Sequence, residues 1–291
     1  MTLNLVLSAL SLASFYFVLS AGLSLVFGVM DILNFANAGI FLAGLYVGWD
    51  VMRMHLPFGV ALAAGFVAGA IVAVMVERLL LAPLYRNPFA QLLTTLGVML
   101  VLNDLVNWVF GPQIQQDNLN GWLAQTISVG HMPFPVFRLI LIGSGLVIWV
   151  GLLGILRYTR LGLYLRAGVE NRVLVELAGI DIRPLFTAAY GLGGALAGLA
   201  GVLYGPFGGV YPTAGLDMLV LSFIVVVIGG MASVTGTLLG SLVIGLSESI
   251  IGFFVPNLAL TVNVLAMLVV LLVRPYGILG KGTGRKDTHA A

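Results

Sequence analysis

The stretch GLGGALAGLAG, residues 191–201, contains only glycine, alanine and leucine. It lies inside the apolar segment 185–204, which is long enough to cross a bilayer, because a transmembrane helix needs about 20 apolar residues. In lipid no hydrophobic force drives helices together, so close backbone contact through small residues does much of that work. We therefore predict an internal, tightly packed helix with Gly194, Gly198 and Gly201 at its contacts.

The composition of the whole chain places it in a membrane. Of its 291 residues 60% are hydrophobic and only 8% are charged, whereas a soluble domain carries roughly 25% charged residues. So few charges cannot cover a water-facing surface. The chain contains no cysteine, which excludes disulfides and cysteine-ligated metals, and its net charge of +2 is too small to indicate nucleic-acid binding.

Nine apolar segments are candidate membrane spans: 5–28, 36–51, 57–76, 90–110, 136–156, 185–204, 218–231, 235–254 and 259–273. The short segments 36–51 and 218–231 are open to interpretation as tilted helices, half-helices or re-entrant segments. Gly236 and Gly240 form a second pair of small residues suited to helix packing. The sequence predicts an all-α polytopic protein with eight or nine transmembrane helices in one domain, 1–291.

The arginines and lysines predict the orientation, because they concentrate in short cytoplasmic connections. They cluster in the loop 157–184, the tail 274–291 and the turn 77–89, while the connection 111–135 has none. This distribution puts the outer loop 111–135 outside and the C-terminus inside. The same constraints put the N-terminus outside, so the number of crossings is odd; nine fits, and eight fits only if one short segment is re-entrant or the N-terminus fails to cross.

The usual motifs of catalysis are missing from the sequence. There is no Walker A motif, no H-E-x-x-H and no G-x-S-x-G, and the three histidines are scattered. We therefore expect no catalytic residue, metal or cofactor. An ion-coupled carrier working alone, a membrane scaffold and an intramembrane enzyme remain as rival classes.

Polar side chains within apolar segments are the candidates for a solute path. In VMDILNFANAG, residues 29–39, Asn34 and Asn37 are predicted either to cap the next helix or to line such a path. Further candidates are Thr94, Thr95, Ser247 and Glu248, together with Asp104 beside Asn103 and Asn107. For Glu248 the alternative is a packing role within reach of Ser247 or Ser249.

A charged stretch, RAGVENRVLVELAGIDIRP at 166–184, interrupts the apolar chain. Its apolar residues share one helical face over 166–178, and Gly179 is a suitable helix stop. A membrane-surface helix is one interpretation. The mixed charges on its polar face favour the other, a helix laid into the groove of a partner protein.

At this point the sequence resembles a known family. The stretch LRAGVENRVLVELAGIDIRPLFTAAYGLGGALAGLAGVLYGP, 165–206, is similar to the cytoplasmic loop and following helix of LivH-type permeases, which serve ABC importers of branched-chain amino acids. The matching frame consists of Thr159, Gly162, Arg166, Ala167, Ala178, Gly179, Ile180 and Asp181. The stretches 22–47 and 226–249 agree as well.

The resemblance implies a permease subunit that translocates a branched-chain or hydrophobic amino acid, with urea, short amides or aromatic acids as alternatives. It implies a second permease subunit, identical or LivM-like, two ATP-binding subunits and an external solute-binding protein. It also makes 166–179 a coupling helix that docks onto the ATPase. The residues expected to couple are Arg166, Ala167, Glu170, Asn171, Leu177, Ala178 and Gly179.

Overall fold

A computed structural model describes residues 2–85, 87–115, 121–129, 132–170, 182–254 and 259–280. Within these ranges there are ten α-helices: α1 (Thr2–Met30), α2 (Ala36–Arg53), α3 (Phe58–Val76), α4 (Pro88–Phe110), α5 (Val136–Tyr158), α6 (Arg160–Glu170), α7 (Arg183–Gly208), α8 (Ala214–Gly229), α9 (Val234–Phe254) and α10 (Ala259–Val273). The prediction of an all-α polytopic fold is confirmed. Six of the described helices are long and apolar enough to cross a membrane, and the total of eight or nine crossings stays a prediction.

The central helix is α7, which packs against α1, α2 and α3. A Cβ placed on Gly198 would lie 2.3 Å from the carbonyl oxygen of Gly65 on α3, and one on Gly194 would lie 2.7 Å from that of Gly69. A Cβ on Gly201 would lie 2.3 Å from the carbonyl oxygen of Phe41 on α2. Only glycine permits these approaches, so the small residues of α7 set the distances between its neighbours.

A second glycine contact joins α8 and α9. A Cβ on Gly236 would lie 2.2 Å from the carbonyl oxygen of Gly229, and one on Gly240 would lie 2.4 Å from that of Val225. The two helices are connected by a tight turn in which Ala232 has a positive φ of 67°. The short helix α8 is thus held along its length by the longer α9.

The helix termini gather at two ends of the bundle. At one end β1 (Thr126–Val129) pairs antiparallel with β2 (Met132–Pro135), and nearby the backbones of Gln115 and Val210 form a bridge with hydrogen bonds of 2.8 and 2.9 Å. We call it the hairpin end. The opposite end carries Arg157, Arg160 and Arg166 with α6, and we call it the basic end.

One local prediction is tested only in part, and another is wrong. Helix α6 begins at Arg160, where the Thr159 hydroxyl accepts a hydrogen bond from the Gly162 amide at 3.1 Å and so serves as an N-cap. It includes only the start of the coupling helix predicted over 166–179, because residues 171–179 lie outside the described residues. The segment 77–89, predicted as a turn, is helical through Leu84. It forms a π-helical turn, Glu77–Leu81, and a 3₁₀ turn, Ala82–Leu84, before α4 begins.

Candidate functional site

The break between α1 and α2, residues 31–35, lies at the basic end, and a buried hydrogen bond joins it to α7. The Tyr190 hydroxyl on α7 donates to Asn34 Oδ1 at 2.9 Å, and Asn34 is only 2% exposed. The capping interpretation of Asn34 and Asn37 is wrong, because Phe35 is the N-cap of α2 and makes no side-chain capping bond. Asn37 lies in the first turn of α2 and is also buried.

The threonines of α4 differ in their surroundings. Thr95 is fully buried, and its hydroxyl bonds to the carbonyl oxygen of Leu92 at 2.9 Å and reaches that of Leu33, in the break, at 3.5 Å. Thr94 is only partly buried. The structure therefore brings Asn34 and Thr95 to the same break, between α1, α4 and α7.

An apolar contact adjoins this break. The rings of Phe35 and Phe223 lie 5.5 Å apart between centroids. They pack beside a buried cluster of Ala38 on α2, Met99 on α4 and Leu219 on α8. This apolar contact therefore joins α2, α4 and α8.

A cleft of about 430 Å³ opens towards the hairpin end, between the end of α4 and the α7–α8 connection. It is lined by Asn103, Asn107, Pro112, Ile114, Tyr211, Pro212 and Thr213. Met99, Asn103 and Asn107 are four residues apart along α4, so the apolar contact at Met99 and the cleft share one face of that helix. The Asn103 Oδ1 atom is buried and has no hydrogen-bond partner among the residues that the structure describes.

The polar side chains that line the cleft are neutral amides and hydroxyls. The Tyr211 hydroxyl donates to Asp217 Oδ2 at 3.1 Å and lies 3.0 Å from the Tyr204 hydroxyl. Burial, followed by the neighbouring Tyr204 and Asp217, raises the pKa of Tyr211. Tyr211 therefore stays protonated near neutral pH and remains a donor beside the cleft. Asp104, the sequence candidate next to Asn103, is exposed.

Ser247 and Glu248 belong to a different region. Glu248 Oε2 accepts hydrogen bonds from the Tyr16 hydroxyl at 2.6 Å and from Asn263 Nδ2 at 3.2 Å. The expected serine contacts are not made, since Ser247 bonds to the carbonyl oxygen of Val243 and Ser249 to that of Leu5. Tyr16 lies roughly 21 Å along α1 from the end of that helix. Glu248 thus ties α1, α9 and α10 together, away from the break.

At the basic end, α6 has a buried and an exposed side. Leu165 is 1% exposed and packs with Met30 and Ile182, whereas Leu163 is 57% exposed. Arg166 is exposed, with Nε 3.3 Å from the carbonyl oxygen of Gly162, and Ala167 is partly buried. Of the other predicted coupling residues, Glu170 ends α6, while Asn171, Leu177, Ala178 and Gly179 lie outside the described residues.

The comparison with known families covers nearly the whole chain. Residues 5–273 match the model of the family described as "Branched-chain amino acid transport system / permease component". The chain belongs to this family. The resemblance noted in the sequence is thereby confirmed, and the permease is a polytopic transport protein.

Two relatives and one solved structure are similar to the permease. It is 28% identical over 296 residues to the high-affinity branched-chain amino acid transport system permease protein LivH of Escherichia coli K12, covering 94% of each chain. It is 30% identical to the probable LivH of Methanocaldococcus jannaschii, covering 90% of this chain and 87% of that one. PsaBC from Streptococcus pneumoniae shares the fold, with a TM-score of 0.50, 13% identity and coverage of 91% and 89%.

Sequence reasoning missed most partners of the site. Tyr190 lies in an apolar helix and gave no signal, because its bond to Asn34 spans 156 residues. Phe35 and Phe223 are ordinary apolar residues until the fold brings their rings together. Asn103 and Asn107 were noticed only as polar neighbours of Asp104, and the tyrosine that completes the cleft comes from a distant connection.

Proposed function

We propose that this permease is the membrane subunit of an ATP-driven importer that translocates a branched-chain or other hydrophobic amino acid. The observation that carries the proposal is the family match over residues 5–273. ATP hydrolysis belongs to separate subunits, because the sequence has no Walker A motif. A second permease subunit and an external solute-binding protein complete the importer.

The proposed solute path starts at the cleft, crosses a constriction at the Phe35–Phe223 contact and reaches the Asn34–Thr95 break. Amides and hydroxyls, such as those of Asn103 and Tyr211, suit weak contacts to the charged groups of an amino acid. The apolar residues that line the cleft suit the hydrophobic side chain of the amino acid. Weak contacts suffice where a binding protein supplies the affinity, and they favour release.

The hairpin end is proposed to face the outside, and the basic end the cytoplasm, because arginine concentrates on the cytoplasmic side. The exposed side of α6, with Leu163 and Arg166, then points to where an ATPase subunit docks. A helix seated in a partner groove is a common recognition mode. This orientation puts the N-terminus outside and the C-terminus inside.

The experiment is uptake into proteoliposomes that hold this permease, its second permease subunit and the ATPase, with the binding protein supplied outside. Leucine uptake that requires both ATP and the binding protein is the expected result. Competition by urea, short amides or aromatic acids, but not by branched-chain amino acids, would redirect the substrate assignment. Uptake by this chain alone, driven by an ion gradient and indifferent to ATP, would contradict the proposal.

A substitution at the constriction tests the path itself. Phe223→Ala removes one ring of the Phe35–Phe223 pair, and apolar constrictions gate pores by excluding water. We expect ATP-independent leak of leucine from the proteoliposomes to rise roughly tenfold, as for a barrier lowered by about 1.4 kcal/mol. Phe89→Ala is the matched control, because Phe89 is 70% exposed. Equal leak from the two variants would place the path elsewhere.

A further inference from the structure

The carboxylate of Glu77 is buried at the basic end of the bundle. Glu77 is 1% exposed and opens the π-helical turn that follows α3. It lies within a helical stretch, Phe58–Leu84, that is long and apolar enough to span a membrane. An ionisable side chain at such a place is costly and is therefore a candidate for a functional role.

Two hydroxyl groups hold this carboxylate. The Tyr85 hydroxyl donates to Oε1, and the Thr187 hydroxyl on α7 donates to Oε2 at 2.7 Å. The Tyr85 ring also packs edge-on against Phe186, with centroids 4.9 Å apart. Glu77 thus fastens the first turns of α7 to the irregular turns between α3 and α4.

The bond from Thr187 has an alternative acceptor. A threonine hydroxyl has one hydrogen to donate, and the Thr187 oxygen also lies 3.1 Å from the carbonyl oxygen of Arg183. If α7 moves away from Glu77, the hydroxyl can bond within its own helix, and no donor is left unsatisfied. The Tyr85 hydroxyl would still donate a hydrogen bond to the Glu77 carboxylate. The Thr187 donor can therefore change its acceptor without being left unpaired, while the carboxylate keeps one of its two hydroxyl donors.

Residues close to Thr187 connect the Glu77–Thr187 contact with the arginine-rich connection before α7 and with the proposed solute path. Arg183 is the first residue of α7, so the helix starts where the arginine-rich connection ends. Three residues after Thr187, Tyr190 bonds to Asn34 at the proposed path. On the α3 side of the contact, Glu77 belongs to a π-helical turn, a backbone geometry that often occurs at functional sites.

We propose that Glu77 is a positioning residue that couples a shift of the first turns of α7, at the basic end, to the solute path, an inference that rests on the proposed function. The Glu77–Thr187 bond holds α7 in the arrangement in which Tyr190 bonds to Asn34. When the start of α7 moves away from Glu77, the Thr187 hydroxyl transfers to the Arg183 carbonyl, and the first turns of α7 shift against Asn34. Glu77 acts through α7 and does not touch the solute.

The test measures leucine moved per ATP hydrolysed in the complete reconstituted importer. Thr187→Val keeps the shape but removes the hydroxyl, and Glu77→Gln removes the charge. We expect each variant to lower the ratio roughly fivefold or more, in the range of typical coupling between sites, with the KM for the loaded binding protein unchanged. The double variant should lose no more than Glu77→Gln alone, because the two groups act through one bond.

Two further variants separate coupling from packing. Thr237→Val is the matched control, because Thr237 is a buried helical threonine that, like Thr187, reaches a carbonyl oxygen four residues back, that of Ser233 at 2.9 Å, and bonds to no carboxylate among the described residues. We expect it to leave the ratio unchanged. Thr187→Ser keeps the hydroxyl and should retain the wild-type ratio.

An unchanged ratio in Thr187→Val, or an equal loss in Thr237→Val, would overturn the inference and leave the proposed function standing. A wild-type importer that moves no leucine on hydrolysing ATP would overturn the proposed function and the inference with it. The wild-type measurement therefore distinguishes the two failures.

Discussion

Gly198→Ala is expected to destabilise the folded permease by roughly 3 kcal/mol, the upper range for overpacking a well-packed core. The added Cβ would lie 2.3 Å from the carbonyl oxygen of Gly65 and 2.9 Å from the Cα of Gly69. Both are backbone atoms, so α3 and α7 must move apart. Because α7 also contacts α1 and α2, the displacement extends through the centre of the bundle.

The measurement is thermal unfolding of the purified permease in detergent, where we expect the midpoint to fall by about 6–12 °C. Gly143→Ala is the matched control, since a Cβ on Gly143 of α5 would meet nothing within 4 Å. Relief of the helix penalty of glycine should leave that variant unchanged or more stable by about 1 kcal/mol. Equal midpoints for the two variants would contradict the packing described for α7.

Leu163→Asp is expected to weaken binding of the ATPase subunit by at least roughly tenfold. Leu163 is 57% exposed on α6, while Leu165 anchors the other side of that helix in the bundle. Burying a leucine in a partner groove contributes about 1.5–3 kcal/mol, and each 1.4 kcal/mol corresponds to about tenfold in affinity. An unpaired aspartate in the same groove adds a desolvation cost.

The assay is co-purification of permease and ATPase over a concentration series, with Ile127→Asp as the matched control. Ile127 is an apolar side chain of similar exposure, 48%, at the hairpin end. Its replacement should leave ATPase binding unchanged. Loss of binding in Ile127→Asp but not in Leu163→Asp would reverse the assignment of the two ends.

The parts of the fold that follow from local chemistry were predictable from the sequence. Small residues such as Gly194, Gly198 and Gly201 let membrane helices pack closely, and all three lie at helix contacts. The helical segments were found because apolar runs of this length have few alternatives in a bilayer. The start of a helix at Arg160 was not recognised in the sequence, because Thr159 was not considered as a cap.

The site was harder to predict, because its contacts join residues far apart in the sequence. Glu248 was predicted either to line a solute path or to pack within reach of Ser247 or Ser249, but its hydrogen bond comes from Tyr16, which is 232 residues away in the sequence. Glu77 was assigned to a turn, because a π-helical continuation of α3 leaves no periodic signal in five residues. Asn34 was given a capping role that its bond from Tyr190 replaces.

We expect the basic end to face the cytoplasm and to bind an ATPase subunit through α6. The chain has no cysteine, so Leu163→Cys supplies one thiol at an exposed position of α6. Membrane vesicles of both orientations are treated with an impermeant maleimide, with and without the bound ATPase. The account predicts labelling only in inside-out vesicles and protection when the ATPase is bound. Labelling only in right-side-out vesicles, or no protection by the ATPase, would contradict it.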